Sequence, residues 1–124
     1  MKLLFVMLLL ISLNGCVQTR YQWGDYEKRL YNHYSNPADK AEYLEGLRNI
    51  IEDAEGEKRV PPGIYAEYGY ALLESGKPLE AILFFNKEAE LWAESKFLMK
   101  KMIQVAEKTA KTVTVAPVIP EPAK

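Results

Sequence analysis

Between two segments whose apolar residues recur at helical spacing, the chain leaves only Gly76-Lys77-Pro78 for a connection. Glycine relaxes the left-handed backbone that closes one helix, and proline presets the first turn of the next. So short a link forces two amphipathic helices to run back along each other as an antiparallel hairpin. The first carries Ile64, Tyr65, Tyr68, Ala71 and Leu72 on one face. The second carries Ala81, Ile82, Phe85, Ala89 and Trp92, with Phe84 and Leu91 beside them.

The same spacing predicts three more helices. Trp23, Tyr26, Leu30 and Tyr34 recur at threes and fours, which predicts a first helix burying an aromatic stripe. Asn36-Pro37 reads as a helix start, the asparagine capping and the proline opening the first turn. Leu44, Leu47, Ile51 and Ala54 form the apolar face of that second helix, and Glu55-Gly56-Glu57-Lys58 reads as the loop after it. Pro61-Pro62-Gly63 leads into the third. Ser95 is placed to cap a fifth helix lined by Phe97, Leu98, Met102, Val105 and Thr109. From Thr112 the composition changes, and Pro117, Pro120 and Pro122 predict an extended tail over 112–124. No segment of useful length before the tail alternates with strand period, so the expected class is all-α, with about five helices in antiparallel hairpins.

The start of the chain sets its address. Lys2 precedes an almost unbroken apolar run, Leu3 to Leu13, followed at once by Leu13-Asn14-Gly15-Cys16. A positive start and a short apolar run are the layout of an export signal. The run is about half the ~20 residues that a helix needs to span a bilayer. Leu13-Asn14-Gly15-Cys16 resembles the bacterial lipobox, with Asn14 its least typical member. The resemblance implies cleavage before Cys16, a diacylglycerol on its thiol and a palmitate-type acyl chain on its amine. Cys16 is the one cysteine among 124 residues, so no internal disulfide competes for it. Two or more acyl chains hold firmly where one holds marginally. The expected layout is a signal peptide over 1–15, lipidated cysteine and tether over 16–22, a helical domain over 23–111 and the tail. Val17, not aspartate, follows the cysteine, which in enterobacterial lipoproteins implies the outer membrane with the domain facing the periplasm; the alternative is the periplasmic face of the inner membrane.

Hydrophobic residues at 48% and charged residues at 27% are the balance of a packed chain, not a disordered one. A net charge near −1 gives no domain-wide basic surface, which argues against a nucleic-acid partner.

The central hairpin resembles the tetratricopeptide repeat. Tyr65, Tyr68, Gly69 and Leu72 fall where that repeat places its tryptophan, leucine, glycine and tyrosine, and Ala81 and Phe85 take its small and aromatic positions. Gly69 and Ala81 then allow close approach, while Tyr65 and Phe85 fill the space between neighbouring hairpins. Glu88 and Ala93 depart from the pattern, standing where a small residue and a proline are usual. One period back, Tyr31 to Ile51 is a degenerate repeat; one period forward, Ser95 to Lys111 is a capping helix. A generic helical bundle is the competing architecture. The chain also resembles a family of small proteobacterial lipoproteins, domain-of-unknown-function family 4810, through Tyr21, Trp23, Gly24 and Tyr26, the loop Pro61-Pro62-Gly63, and Glu94-Ser95. That resemblance implies neighbourhood with a lipoprotein similar to the curli-secretion channel, an association and not a mechanism.

Catalytic chemistry finds little purchase. His33 is the one histidine, reads as a surface residue and leaves no second imidazole for a His-rich metal site or triad. Glu52, Asp53, Glu55 and Glu57 lack calcium-loop spacing and read as a solvated helix end. No phosphate loop, nucleophile elbow or zinc motif is present, and no cofactor or metal is expected. Lys96, Lys100, Lys101, Lys108 and Lys111 make the fifth helix basic, either a solvated face or a contact for a partner or for lipid headgroups. The expected function is a non-catalytic adaptor for an unidentified envelope protein. The competing readings are a small-ligand-binding or enzymatic helical domain and a structural lipoprotein engaging peptidoglycan.

Overall fold

The computed structural model describes residues 20–115, with side chains to Thr112. The expected signal segment, Cys16 and residues 116–124 of the expected tail lie outside this range. Five α-helices follow one another: α1 Tyr26–Ser35, α2 Lys40–Gly56, α3 Ile64–Glu74, α4 Pro78–Leu91 and α5 Lys96–Val115, with a 3-10 turn at Ala93–Ser95. There is no strand among the described residues. Each helix packs on the next, most extensively α4 on α3 and on α5. The chain is the all-α series of hairpins that its spacing predicts, and no described helix is long and apolar enough to cross a membrane.

The α3–α4 hairpin closes as expected. Gly76 adopts φ +76°, its N–H donates to Leu73 O at 3.1 Å and the N–H of Lys77 donates to Leu72 O at 2.9 Å. This pair of bonds satisfies the last carbonyls of α3. Ala81 and Phe85 have no exposed surface. A Cβ built on Gly69 would stand 2.7 Å from Phe85 Cε1 and 3.2 Å from the Ala81 carbonyl oxygen. The Phe85 ring therefore lies over Gly69 of its own hairpin. Around this contact the core gathers Leu47, Ile50 and Ile51 of α2, Ile64, Tyr65, Tyr68 and Leu72 of α3, and Met99 and Ala106 of α5.

Several local expectations are corrected. α1 does not bury the whole stripe: Tyr26 and Leu30 pack on the core, while Tyr34 is 74% exposed and Trp23, which precedes the helix and packs on Tyr26, is 38% exposed. Asn36 closes α1, its N–H donating to Asn32 O at 2.8 Å, and α2 begins at Lys40 after Asp39; the Asn36 side chain caps no helix, its amide donating to the Asp39 carboxylate at 2.9 Å. α2 runs through Glu55 and Gly56; the left-handed residue that ends it is Lys58, φ +55°. Its core face includes Tyr43 and Ile50, which the predicted face omits.

α5 is rotated from its predicted face. Met99 and Ala106 are buried and Met102 and Ile103 pack beside them, leaving Phe97, Leu98 and Val105 exposed. Close packing on α4 selects the side that offers a small residue, Ala106, and adaptable methionines. Thr112–Val115, expected in the tail, continue the helix, and the Thr112 hydroxyl donates back to Lys108 O at 3.0 Å. Ser95 belongs to the 3-10 turn, and its hydroxyl turns to Glu88.

Candidate interaction surfaces

The repeat-scaffold residues Tyr65, Tyr68, Gly69, Leu72, Ala81 and Phe85 come together in one buried cluster spanning α3 and α4. They position surfaces; they do not form one. Burial, followed by a hydrogen bond to Glu55, pushes the Tyr65 hydroxyl well above the usual tyrosine range. That hydroxyl donates to Glu55 Oε1 at 2.7 Å and Lys87 Nζ reaches the same oxygen at 2.8 Å. The bond from Lys87, then the bond from Tyr65, holds the Glu55 carboxyl below its ordinary value. Glu55, expected in a loop, thus ties α2 to both α3 and α4.

Glu88 is the residue that spacing did not reveal. Its side chain is fully buried. Oε1 accepts from the Gly63 N–H at 2.8 Å and from the Ser95 hydroxyl at 3.1 Å, while Oε2 has no partner. Gly63 stands at φ +90°, a backbone that few other residues adopt without strain. One carboxylate therefore fixes both the Pro61-Pro62-Gly63 loop before α3 and the turn before α5. Trp92, one helical turn further on, takes the Tyr21 ring edge-on at 5.7 Å between centroids. The Gln22 N–H donates to Arg59 O at 2.8 Å, so Tyr21 and Gln22 pack against the helical domain.

An open groove of about 360 Å³ lies between α1, α2 and α3, lined among others by His33, Tyr34, Lys40, Tyr43, Glu67, Tyr70 and Glu74. Its floor is rigid. The Tyr43 ring stacks on His33 with centroids 4.1 Å apart and planes 7° from parallel, and its hydroxyl donates to Glu67 Oε1 at 2.8 Å. Burial, and then this bond, pushes Tyr43 far above the usual tyrosine range. His33, expected at the surface, is half-buried, and its Nδ1 is enclosed without a hydrogen-bond partner. Tyr34 and Tyr70 stand at the rim, exposed. Hydrogen bonding to Glu74 raises the Tyr70 hydroxyl.

The five α5 lysines do not converge. Lys96 and Lys100 border a shallow depression with Asn86 and Glu90 of α4. Lys101 and Lys108 share the side of the helix turned away from Met99 and Ala106. Among the described residues none of the five forms an ion pair.

A family model described as a domain of unknown function, DUF4810, matches residues 20–102. The chain belongs to this family. The DUF4810 match opens at the first described residue and ends within α5, so it takes in the Tyr21–Trp92 contact, the Gly63 loop, Glu88 and the whole groove. Searches of curated proteins and of solved structures return no significant match.

Proposed function

We propose that this DUF4810 protein is a non-catalytic envelope adaptor, lipid-anchored through Cys16 to the outer membrane, whose α1–α3 groove receives a segment of another envelope protein. The observation that carries the reading is the groove itself: two exposed tyrosines, Tyr34 and Tyr70, stand over a floor locked by the His33–Tyr43 stack and the Tyr43–Glu67 bond. Exposed tyrosines on a rigid support are what binding surfaces use, because large rings lose little conformational freedom on contact. Glu67 and Glu74 bring acceptors to the same place and suit a segment that offers lysine, arginine or backbone N–H donors. A tetratricopeptide-like hairpin stack supports this use, since such stacks present partner-binding grooves. A lipoprotein neighbour similar to the curli-secretion channel is the first partner to examine.

Two measurements test the proposal. Mass spectrometry of membrane-extracted protein is expected to find an acylated Cys16 at the N-terminus; a soluble product beginning elsewhere would remove the anchor. Cross-linking in intact cells with affinity purification is expected to recover a stoichiometric partner, lost on Tyr34→Ala with Tyr70→Ala. An anchored, folded protein that captures nothing would overturn the adaptor reading.

A further inference from the structure

A helix that closes a helical stack ordinarily turns a polar face outward. α5 does not. Phe97 is 77% exposed, Leu98 58% and Val105 49%, and they stand among Lys101 and Lys108, with Lys101 Nζ 5.8 Å from the centre of the Phe97 ring. The one acidic residue of α5, Glu107, belongs to the opposite flank, beside the depression shared with α4. Every charge on the outward face is therefore cationic and stands beside exposed apolar side chains, with the uncharged Gln104 between them, the composition of helices that lie in the plane of a membrane interface.

We propose that this face of α5 rests on the anionic lipid surface to which the chain is tethered. The proposal rests on the lipid-anchor reading for its geometry and on the side chains for its chemistry. Tyr21 packs on Trp92, five residues before Phe97, and Cys16 stands five residues before Tyr21. Five residues reach at most about 18 Å. An acylated Cys16 accordingly brings the bilayer within that distance of Tyr21, which packs on Trp92 close to where α5 begins, and Arg20 adds a further cation beside Tyr21. A second copy of the chain is the weaker occupant, because a self-complementary contact would set cations against cations. An acidic protein would satisfy the lysines but would have no call on the short tether.

The test uses the chain from residue 16 carrying Cys16→Ser, which contains every described residue and no lipid. In flotation assays it is expected to bind vesicles of phosphatidylethanolamine with phosphatidylglycerol and to leave phosphatidylcholine vesicles unbound. Each lysine near an anionic surface contributes about a fivefold factor in affinity. Lys101→Glu with Lys108→Glu is thus expected to weaken binding at least tenfold, and Phe97→Ser several-fold, with circular dichroism and thermal midpoint unchanged because all three side chains are exposed. Equal binding to both vesicle types, no binding to either, variants that bind like the parent, or a dimer in gel filtration that Phe97→Ser dissolves would each overturn the proposal. The variants leave the groove intact, so failure here is distinct from failure to capture a partner.

Discussion

Glu88 accepts a hydrogen bond from the backbone of Gly63, twenty-five positions earlier, from within a fully buried side chain. The bond joins α4 to the loop that launches α3, and its second branch, from Ser95, joins α4 to the turn that launches α5. A buried donor left without its acceptor costs about 1–3 kcal/mol. Glu88→Ala strands two and opens a cavity, so a loss of roughly 3 kcal/mol is expected in denaturant unfolding. Glu88→Gln keeps an acceptor oxygen at the same place and is expected to lose less than half as much.

Gly69→Ala sets two effects against each other. Alanine within a helix gains about 1 kcal/mol over glycine. The new Cβ would stand 2.7 Å from the Phe85 ring, and that ring is wholly buried with no room to withdraw. Overpacking of this kind costs about 1–3 kcal/mol, so the net result is expected to be destabilising. A thermal midpoint equal to or above that of the parent would show that the α3–α4 contact yields.

The pH dependence has two limbs. Glu55 titrates below its ordinary value of 4.5 when folded, so its contribution is present above about 4.5 and is lost as pH falls through the lowered value. Its side chain is 39% exposed, which screens the pairing to under ~1 kcal/mol. Glu55→Gln is expected to flatten the acid limb slightly. Tyr26, Tyr43, Tyr65 and Tyr68 all titrate above the ordinary 10.0, chiefly through burial. Their contribution is intact below pH 10 and is lost as pH rises beyond it, so unfolding in base is expected to begin above that point. Tyr43→Phe is expected to reduce the steepness of this alkaline limb.

Lys58 occupies the left-handed position that closes α2, with the Arg59 N–H donating to Ala54 O at 2.9 Å as the closing bond. Holding a side chain there costs about 1–2 kcal/mol relative to glycine. Lys58→Gly is expected to stabilise the protein by about 1 kcal/mol, less what glycine loses by its freer unfolded chain. Chemical denaturation measures it.

These positions also show what the sequence could and could not tell. Gly76 and Pro78 act through their own backbone, so the hairpin was legible from three residues. Gly56 suggested a helix end by the same logic, and α2 does stop there; what local spacing did not show is that the left-handed turn falls on Lys58 and that Glu55, inside the last helical turn, faces Tyr65 and Lys87. Glu88 stood out only as a departure from the repeat pattern. Its purpose depends on two partners distant in sequence, and no local spacing carries that. The groove was legible only in part: Glu67 and Tyr70 share the exposed side of α3, but Tyr34, His33 and Tyr43 join them only once α1 and α2 are folded. α5 was legible as a helix and misread in rotation, because its sequence offers two apolar stripes and the choice belongs to α4.

That choice gives the last prediction. Met99 is 2% exposed and Phe97 is 77% exposed, two residues apart on one helix. Truncating a buried methionine to alanine removes its transfer energy and leaves a cavity, costing about 2–5 kcal/mol. Truncating an exposed phenylalanine removes no packing, and alanine is the better helix former by a few tenths of a kcal/mol. Met99→Ala is therefore expected to lower stability by at least ~2 kcal/mol, and Phe97→Ala to leave it unchanged or slightly raised. Urea unfolding of the two variants decides the rotation of α5 directly: the reverse order would return Phe97 to the core and place the helix on its other face.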